Sequence, residues 1–312
     1  MRNEHEIFYH CYQRPKDRGV IFYTVSDHLL YFTIFCTVVK KYKVTALKLV
    51  QMPDHLHHSM IENAPGQLGL CLDHITSLFV REYNMVHGRK GPMFDTPFGR
   101  ASKKTDKAIR TNLTYLNNNP VERQLVSRAE DYRWNYLAYA ATANPFSEKI
   151  VLRKASMPLR KALKMVQIQH KKGRYLKGAM LRSMFDSLPS KKECDQLTDY
   201  IISTYSVINH NLASGFFESY ENELITAHAN TGNEHDIKEQ FMGRSDTCYN
   251  KMTAALVKAG TVKDIHEIYT MTEEEKWEAF RYLKAYTGAP AKQIAAFLHI
   301  PQKLIKSFTN YL

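Results

Sequence analysis

The 312-residue sequence has few cysteines and tryptophans and no long apolar run. None of its five cysteines falls in a C-x-x-C arrangement, which argues against both a disulfide framework and a zinc ribbon. No stretch approaches the roughly 20 apolar residues that a membrane-spanning helix requires, and the first residues lack the apolar core of a signal peptide. We therefore expect reduced thiols, no membrane partner and a cytoplasmic location.

Positive charge is abundant. The chain has 43 Lys and Arg and 31 Asp and Glu, which give a net charge of +12. An excess of this size is common in proteins with a polyanionic partner. Much of it lies in residues 151–190, where ten basic residues accompany one acidic residue. This segment is either the solvated face of a helix or linker, or an arm that contacts phosphates, and the sequence leaves both open.

The first part of the chain alternates between strand and helix patterns. Residues 7–12 are aromatic and β-prone, and a helix follows with Ser26 as its predicted cap. Residues 43–52 and 55–61 read as strands separated by a turn at Pro53 and Asp54.

Two further helices are predicted, with a possible strand between them. The first covers residues 66–86 and ends at Gly88, a residue type favoured at helix ends. The second begins near Thr105, and Pro120 should end it at or before Asn119. The order predicts an α/β (α+β) fold with helices on one face of a mostly antiparallel sheet and the other face free, followed by an all-α C-terminal region.

His55 and His57 form the first candidate site. Successive side chains of a strand point to opposite faces, so these two share one face while His58 lies on the other. Two imidazoles on one face can chelate one divalent ion. With 14 histidines in the chain, an H-x-H pair also occurs by chance, and partly buried or surface histidines remain an alternative.

Tyr115 and Asn119 form the second candidate site. They are four residues apart on a predicted helix, which places a phenol and a carboxamide on one helix face. The alternative is a core tyrosine followed by a polar helix end.

Three segments together resemble the REP-associated tyrosine transposases, which are single-tyrosine HUH enzymes. They are MPDHLHHSMI, YLNNNPVERQLV and EDYRWNYLAY, and the resemblance covers about residues 5–140. The positions that match the family's motifs are Tyr9, His10, Met52, Pro53, His55, His57, Tyr115, Asn119, Pro120, Val121, Asp131, Tyr132, Trp134 and Tyr136.

The sequence also departs from the family's pattern. Asp54 stands where the family usually has Asn, and Asn117 replaces a histidine. Pro97 and Gly99 occupy the places of an arginine and a lysine, which puts the DNA contacts of that loop in doubt.

The resemblance implies a ferredoxin-like HUH nuclease domain that cleaves single-stranded, hairpin-forming DNA. Tyr115 would be the nucleophile and form a 5′-phosphotyrosine. His55, His57 and Asn119 would hold Mg²⁺ or Mn²⁺, since such sites accept nitrogen and oxygen donors together with water. A non-catalytic DNA-binding regulator that kept the fold is the alternative function.

The C-terminal end is similar to a helix-turn-helix, and a plain helical-bundle terminus is the alternative. Thr272 caps its first helix, Pro290 opens a short second helix, and Pro301 opens a third that would read DNA. His299 stands where many such turns have glycine. We predict a catalytic domain over residues 1–145, a basic linker or helical arm over 146–195, and a helical region over 196–312 with the helix-turn-helix at 272–312.

The expected partner is single-stranded or hairpin DNA, bound by a monomer or a homodimer. The predicted DNA-contacting side chains are basic or amide-bearing, and come from three parts of the chain: Arg14, Lys16, Arg18, Arg100, Lys103, Lys104, Lys171, Lys172, Arg174, Gln302, Lys303 and Lys306.

Overall fold

The computed structural model describes residues 7–94, 98–229, 245–301 and 303–305. Its four strands are β1 (Ile7–Gln13), β2 (Thr45–Met52), β3 (His55–Glu62) and β4 (Gly99–Lys103). They form one antiparallel sheet in the order β2-β3-β1-β4. The α-helices are α1 (Val25–Tyr42), α2 (Gln67–His87), α3 (Asp106–Glu122), α4 (Met157–Lys171), α5 (Gly178–Asp186), α6 (Lys191–Tyr205), α7 (His210–Gly215), α8 (Tyr220–Ala229), α9 (Thr247–Lys258), α10 (Glu273–Thr287) and α11 (Ala291–Phe297).

Helix α1 begins two residues earlier than the sequence pattern predicts. Thr24, not Ser26, is its N-cap: the Thr24 hydroxyl accepts from the Asp27 backbone N–H, and the Asp27 carboxylate accepts from the Thr24 N–H. This reciprocal capping box satisfies two backbone donors, which a lone serine could not do. The end of α2 is as predicted, because Gly88 closes it with a φ of 63°.

The predicted end of α3 is wrong, since the helix runs through Pro120 to Glu122. Proline removes its own N–H donor but has a φ that suits a helix. Here it lies in the last turn, where the Asn119 and Pro120 carbonyls still accept from the N–H groups of Arg123 and Leu125.

Helices cover both faces of the sheet, so the prediction of one free face is wrong. Helices α1 and α2 pack on one face against Leu49, Leu56 and Met60. Helix α3 packs on the opposite face, where Leu113 contacts a cluster that includes Leu47. Because α3 carries an apolar stripe of its own, the second face is buried as well.

The basic middle segment folds as helices on the main core. Helix α4 buries Leu159 and Val166 in the same hydrophobic cluster as α1, and its Lys161 and Lys164 are exposed. Residues 157–171 are therefore a helix with a solvated basic face.

In the part of the chain that the structure describes, the elements after α3 are helices and none is a β-strand, and the last helices form a second hydrophobic cluster.

Thr272 caps α10 and Pro290 precedes α11, as the sequence predicts, whereas only one helical turn, residues 303–305, is described after Pro301. His299 takes the left-handed conformation with a φ of 54°. Among the described residues, no helix is long and apolar enough to cross a membrane.

Candidate metal and nucleophile site

The turn at Pro53 and Asp54 joins the paired ends of β2 and β3 and sets the direction of the two histidines. Met52 pairs with His55 across this turn, and the strand then alternates its faces. His55 and His57 lie on the face that α3 covers. His58 lies on the other face, where its Nε2 is 2.7 Å from the hydroxyl of Tyr31 on α1.

Helix α3 brings Tyr115 and Asn119 to the two histidines. The Asn119 amide nitrogen is 3.2 Å from the Tyr115 hydroxyl and 3.3 Å from Nε2 of His57. The rings of His55 and His57 are perpendicular, with centroids 4.9 Å apart, and the His57 and Tyr115 centroids are 5.9 Å apart. Two imidazoles, an amide and a phenol therefore meet at one place between the sheet and the helix.

The donor atoms at this place suit a divalent cation. Nε2 of His55 and Oδ1 of Asn119 are buried and have no hydrogen-bond partner among the described residues. Buried polar atoms are normally paired, so an unpaired nitrogen and oxygen beside a second imidazole fit the donor set of a metal. Rotation of the Asn119 amide by half a turn exchanges its oxygen and nitrogen, which places an oxygen ligand toward His57.

Electrostatics favour the neutral form of His57 and the ionised form of Asp54. Burial holds the pKa of His57 well below its usual value, and the neighbouring His55, His10 and Arg14 add to that effect. Burial alone would raise the pKa of Asp54, but His55, Arg123 and Arg14 outweigh it, so the pKa lies below its usual value. A neutral imidazole is the form that a metal ligand requires.

Two contacts at the site were not predicted from sequence. Nδ1 of His55 lies 2.5 Å from a carboxylate oxygen of Asp54, and Nδ1 of His57 lies 3.0 Å from Nε2 of His10 on β1. The signal for His10 was present: it alternates onto the same sheet face and pairs in register with Ser59. Only strand pairing, which the sequence does not give, brings it beside His57.

The nucleophile candidate is held inside the protein. Tyr115 is 3% exposed, and His55, His57 and Asn119 are equally enclosed. A DNA strand can reach the phenol only after neighbouring groups move.

Helix α8 supports α3 from outside. The Asn117 amide donates to Glu223 at 2.9 Å, and the Asn118 amide donates to the Ala227 carbonyl at 2.8 Å. The C-terminal part of the chain therefore fixes the helix that carries the tyrosine.

The predicted DNA-contacting residues are dispersed. Arg14 is half-buried beside Asp54 and His57, and Lys103 is buried at 9% exposure. Gln302 and Lys306 lie outside the described residues. The other predicted side chains are exposed: Lys16, Arg18, Arg100, Lys104, Lys171, Lys172, Arg174 and Lys303.

The segment that departs from the family's pattern is tightly packed at Gly99, the first residue of β4, whereas Pro97 lies outside the described residues. A Cβ at this position would lie 2.1 Å from the ring of Tyr12. Any side chain here would displace Tyr12, so this position cannot carry a DNA-contacting lysine in the same arrangement.

A second histidine cluster lies apart from this site. Asp27, His87 and His266 are close enough together to hold a metal ion. Each ring nitrogen already has a partner: His87 lies between Asp27 and Arg182, and His266 lies between Asp27 and Asp264. Because both nitrogens of His266 face carboxylates, a protonated imidazole explains the cluster without a metal.

Comparisons with known proteins give one partial similarity. No protein-family model matches the sequence, and no curated protein matches it. A solved structure of a REP-associated tyrosine transposase bound to a REP hairpin is similar at a TM-score of 0.37 and 16% sequence identity, over 43% of this chain and 78% of that chain.

Proposed function

We propose that the protein is a metal-dependent nuclease and strand transferase that cleaves single-stranded DNA through Tyr115. The observation that carries the proposal is the meeting of the Tyr115 hydroxyl, the Asn119 amide and the two histidines at one buried place. The element order β1-α1-β2-β3-α2-β4 supports a ferredoxin-like HUH fold, which is compatible with the resemblance of the motifs.

In this proposal the reaction is a transesterification. The Tyr115 oxygen attacks the scissile phosphorus, the bond from phosphorus to the 3′ oxygen breaks, and a 5′-phosphotyrosine and a 3′-hydroxyl result. The phenol proton leaves as the new bond forms, and the 3′ oxygen gains a proton, so the step needs no further reactant.

The residues have separate roles. His55, His57 and the Asn119 amide oxygen would hold Mg²⁺ or Mn²⁺, which when bound polarises the phosphate and neutralises developing charge. With its amide nitrogen toward Tyr115, as in the structure, Asn119 donates to the Tyr115 hydroxyl; rotation of the amide would exchange this donor role for that of an oxygen ligand to the metal. Arg14 and Arg123, which lie beside Asp54, add positive charge that favours a phosphate at the site.

Covalent capture tests the proposal. We expect a labelled single-stranded hairpin oligonucleotide to become attached to the full-length protein only when Mg²⁺ or Mn²⁺ is present. Mapping of the attached residue by mass spectrometry should identify Tyr115.

Tyr115→Phe is the matched control, since it removes one hydroxyl and keeps the ring. We expect it to lose cleavage and the adduct while binding the same oligonucleotide. An adduct that survives would assign the nucleophile elsewhere, and DNA binding without any adduct in the unmodified protein would favour a non-catalytic regulator.

A further inference from the structure

The two metal-binding histidines have unlike partners on their second ring nitrogens. Nδ1 of His55 faces the Asp54 carboxylate at 2.5 Å, whereas Nδ1 of His57 faces Nε2 of His10 at 3.0 Å. The three imidazoles are buried, with His10 and His57 0% exposed and His55 1% exposed, whereas the Asp54 side chain is 19% exposed.

These contacts determine which ring nitrogen is available. Nε2 of His57 is the atom that faces the Asn119 amide, and thus the tyrosine. For this nitrogen to keep its lone pair, Nδ1 must carry the hydrogen and donate it, and Nε2 of His10 is placed to accept it. In the same way, a hydrogen on Nδ1 of His55, donated to Asp54, leaves Nε2 of His55 with a lone pair.

We infer that Asp54 and His10 are positioning residues that fix the tautomer and ring orientation of His55 and His57 for a divalent cation. The inference rests on the proposed function for the identity of the metal site. Partners of this kind orient ligand rings and raise ligand basicity, and their loss typically lowers metal affinity about 10- to 100-fold.

The two partners should differ in effect. Asp54 is a carboxylate and adds direct attraction for a dication, whereas His10 offers only an acceptor nitrogen. A neutral side chain that can still accept a hydrogen bond should therefore lower metal affinity little at position 10. At position 54 it should lower metal affinity to an intermediate degree, because the negative charge is lost.

The measurement is direct Mn²⁺ binding to the full-length protein without DNA. Binding is monitored by the electron paramagnetic resonance signal of free Mn²⁺. We expect His10→Leu and Asp54→Leu to weaken Mn²⁺ binding about 10- to 100-fold. His10→Gln, which can still accept from His57, should stay within a few-fold of the unmodified protein, and Asp54→Asn should lie between.

His58→Leu is the matched control, because this histidine is equally buried but faces Tyr31 on the opposite side of the sheet. It should leave Mn²⁺ affinity unchanged. Should a leucine variant fail to fold, His10→Ala with added imidazole replaces it: we expect weakened Mn²⁺ binding that imidazole restores.

Folded His10→Leu and Asp54→Leu proteins that bind Mn²⁺ as tightly as the unmodified protein would overturn the inference and leave the proposed function intact. An unmodified protein that binds no Mn²⁺ would overturn both. Tyr115→Phe should bind Mn²⁺ normally, so loss of the nucleophile alone is distinguishable from loss of the metal site.

Discussion

At the residue scale, the proposed chemistry depends on which side of a strand each histidine occupies. His55 and His57 face Asn119 and Tyr115, whereas His58, their neighbour in sequence, hydrogen-bonds to Tyr31 on the far side. A displacement of one residue in strand register would exchange these environments. Three histidines in four positions are therefore not equivalent.

We expect His55→Ala and His57→Ala each to abolish metal-dependent cleavage, and His58→Ala to keep it. His58→Ala should instead destabilise the fold by about 1–3 kcal/mol, because the Tyr31 hydroxyl loses its buried partner. Cleavage assays and denaturant unfolding of the three variants check both parts. A His58→Ala protein that folds but requires much more metal would contradict the assignment of faces.

At the element scale, a buried carboxylate on α8 holds α3 through a hydrogen bond and β2 through an ion pair. Glu223 accepts from Asn117 on α3 and from Ser214, and lies 3.6 Å from Nζ of Lys48 on β2. Lys48 and Glu223 are each 2% exposed. One carboxylate thus joins the sheet, the tyrosine helix and α8.

We expect Glu223→Gln to destabilise the protein by roughly 3–5 kcal/mol, because it leaves the Lys48 ammonium buried without its counter-charge. The free energy of unfolding in urea is the measurement. Glu221→Gln, at an exposed position of the same helix, is the control and should change little.

The double variant Lys48→Met with Glu223→Leu removes both charges and should cost less than Glu223→Gln alone. Equal or greater destabilisation in the double variant would show that hydrogen bonds to Asn117 and Ser214, rather than the charge pair, carry the effect.

At the scale of the whole molecule, a histidine from the C-terminal half joins the start of α1. His266 lies between Asp27, 2.9 Å away, and Asp264, 2.8 Å away. Burial lowers the pKa of His266, but the two carboxylates outweigh it and raise the pKa to about 9. Burial also raises the pKa of Asp27, which His266 and His87 more than offset, so that pKa lies below its usual value.

These pKa shifts make the free energy of unfolding depend on pH. Because the pKa of His266 is raised above its unfolded value near 6.5, its contribution is complete below pH 6.5 and is lost as pH rises through about 9. We expect His266→Gln to destabilise the protein on the order of 3 kcal/mol at pH 6 and much less at pH 9.5. Urea unfolding of both proteins at the two pH values checks this, and a pH-independent difference would mean that His266 acts by packing alone.

The sequence by itself determined the elements and the pairs of residues within them. Alternation in β3 put His55 and His57 on one side of the strand, and helical spacing put Tyr115 and Asn119 on one side of α3. These are local patterns, set by the geometry of a strand or a helix over a few residues.

Only the tertiary structure decided how these pairs meet and what surrounds them. Strand pairing brought His10 to His57, and packing put α3 on the sheet face that the pattern left free. The extension of α3 through Pro120 likewise depended on hydrogen bonds that lie beyond the motif. Contacts between residues far apart in sequence depend on the burial of whole surfaces, so a local pattern cannot specify them.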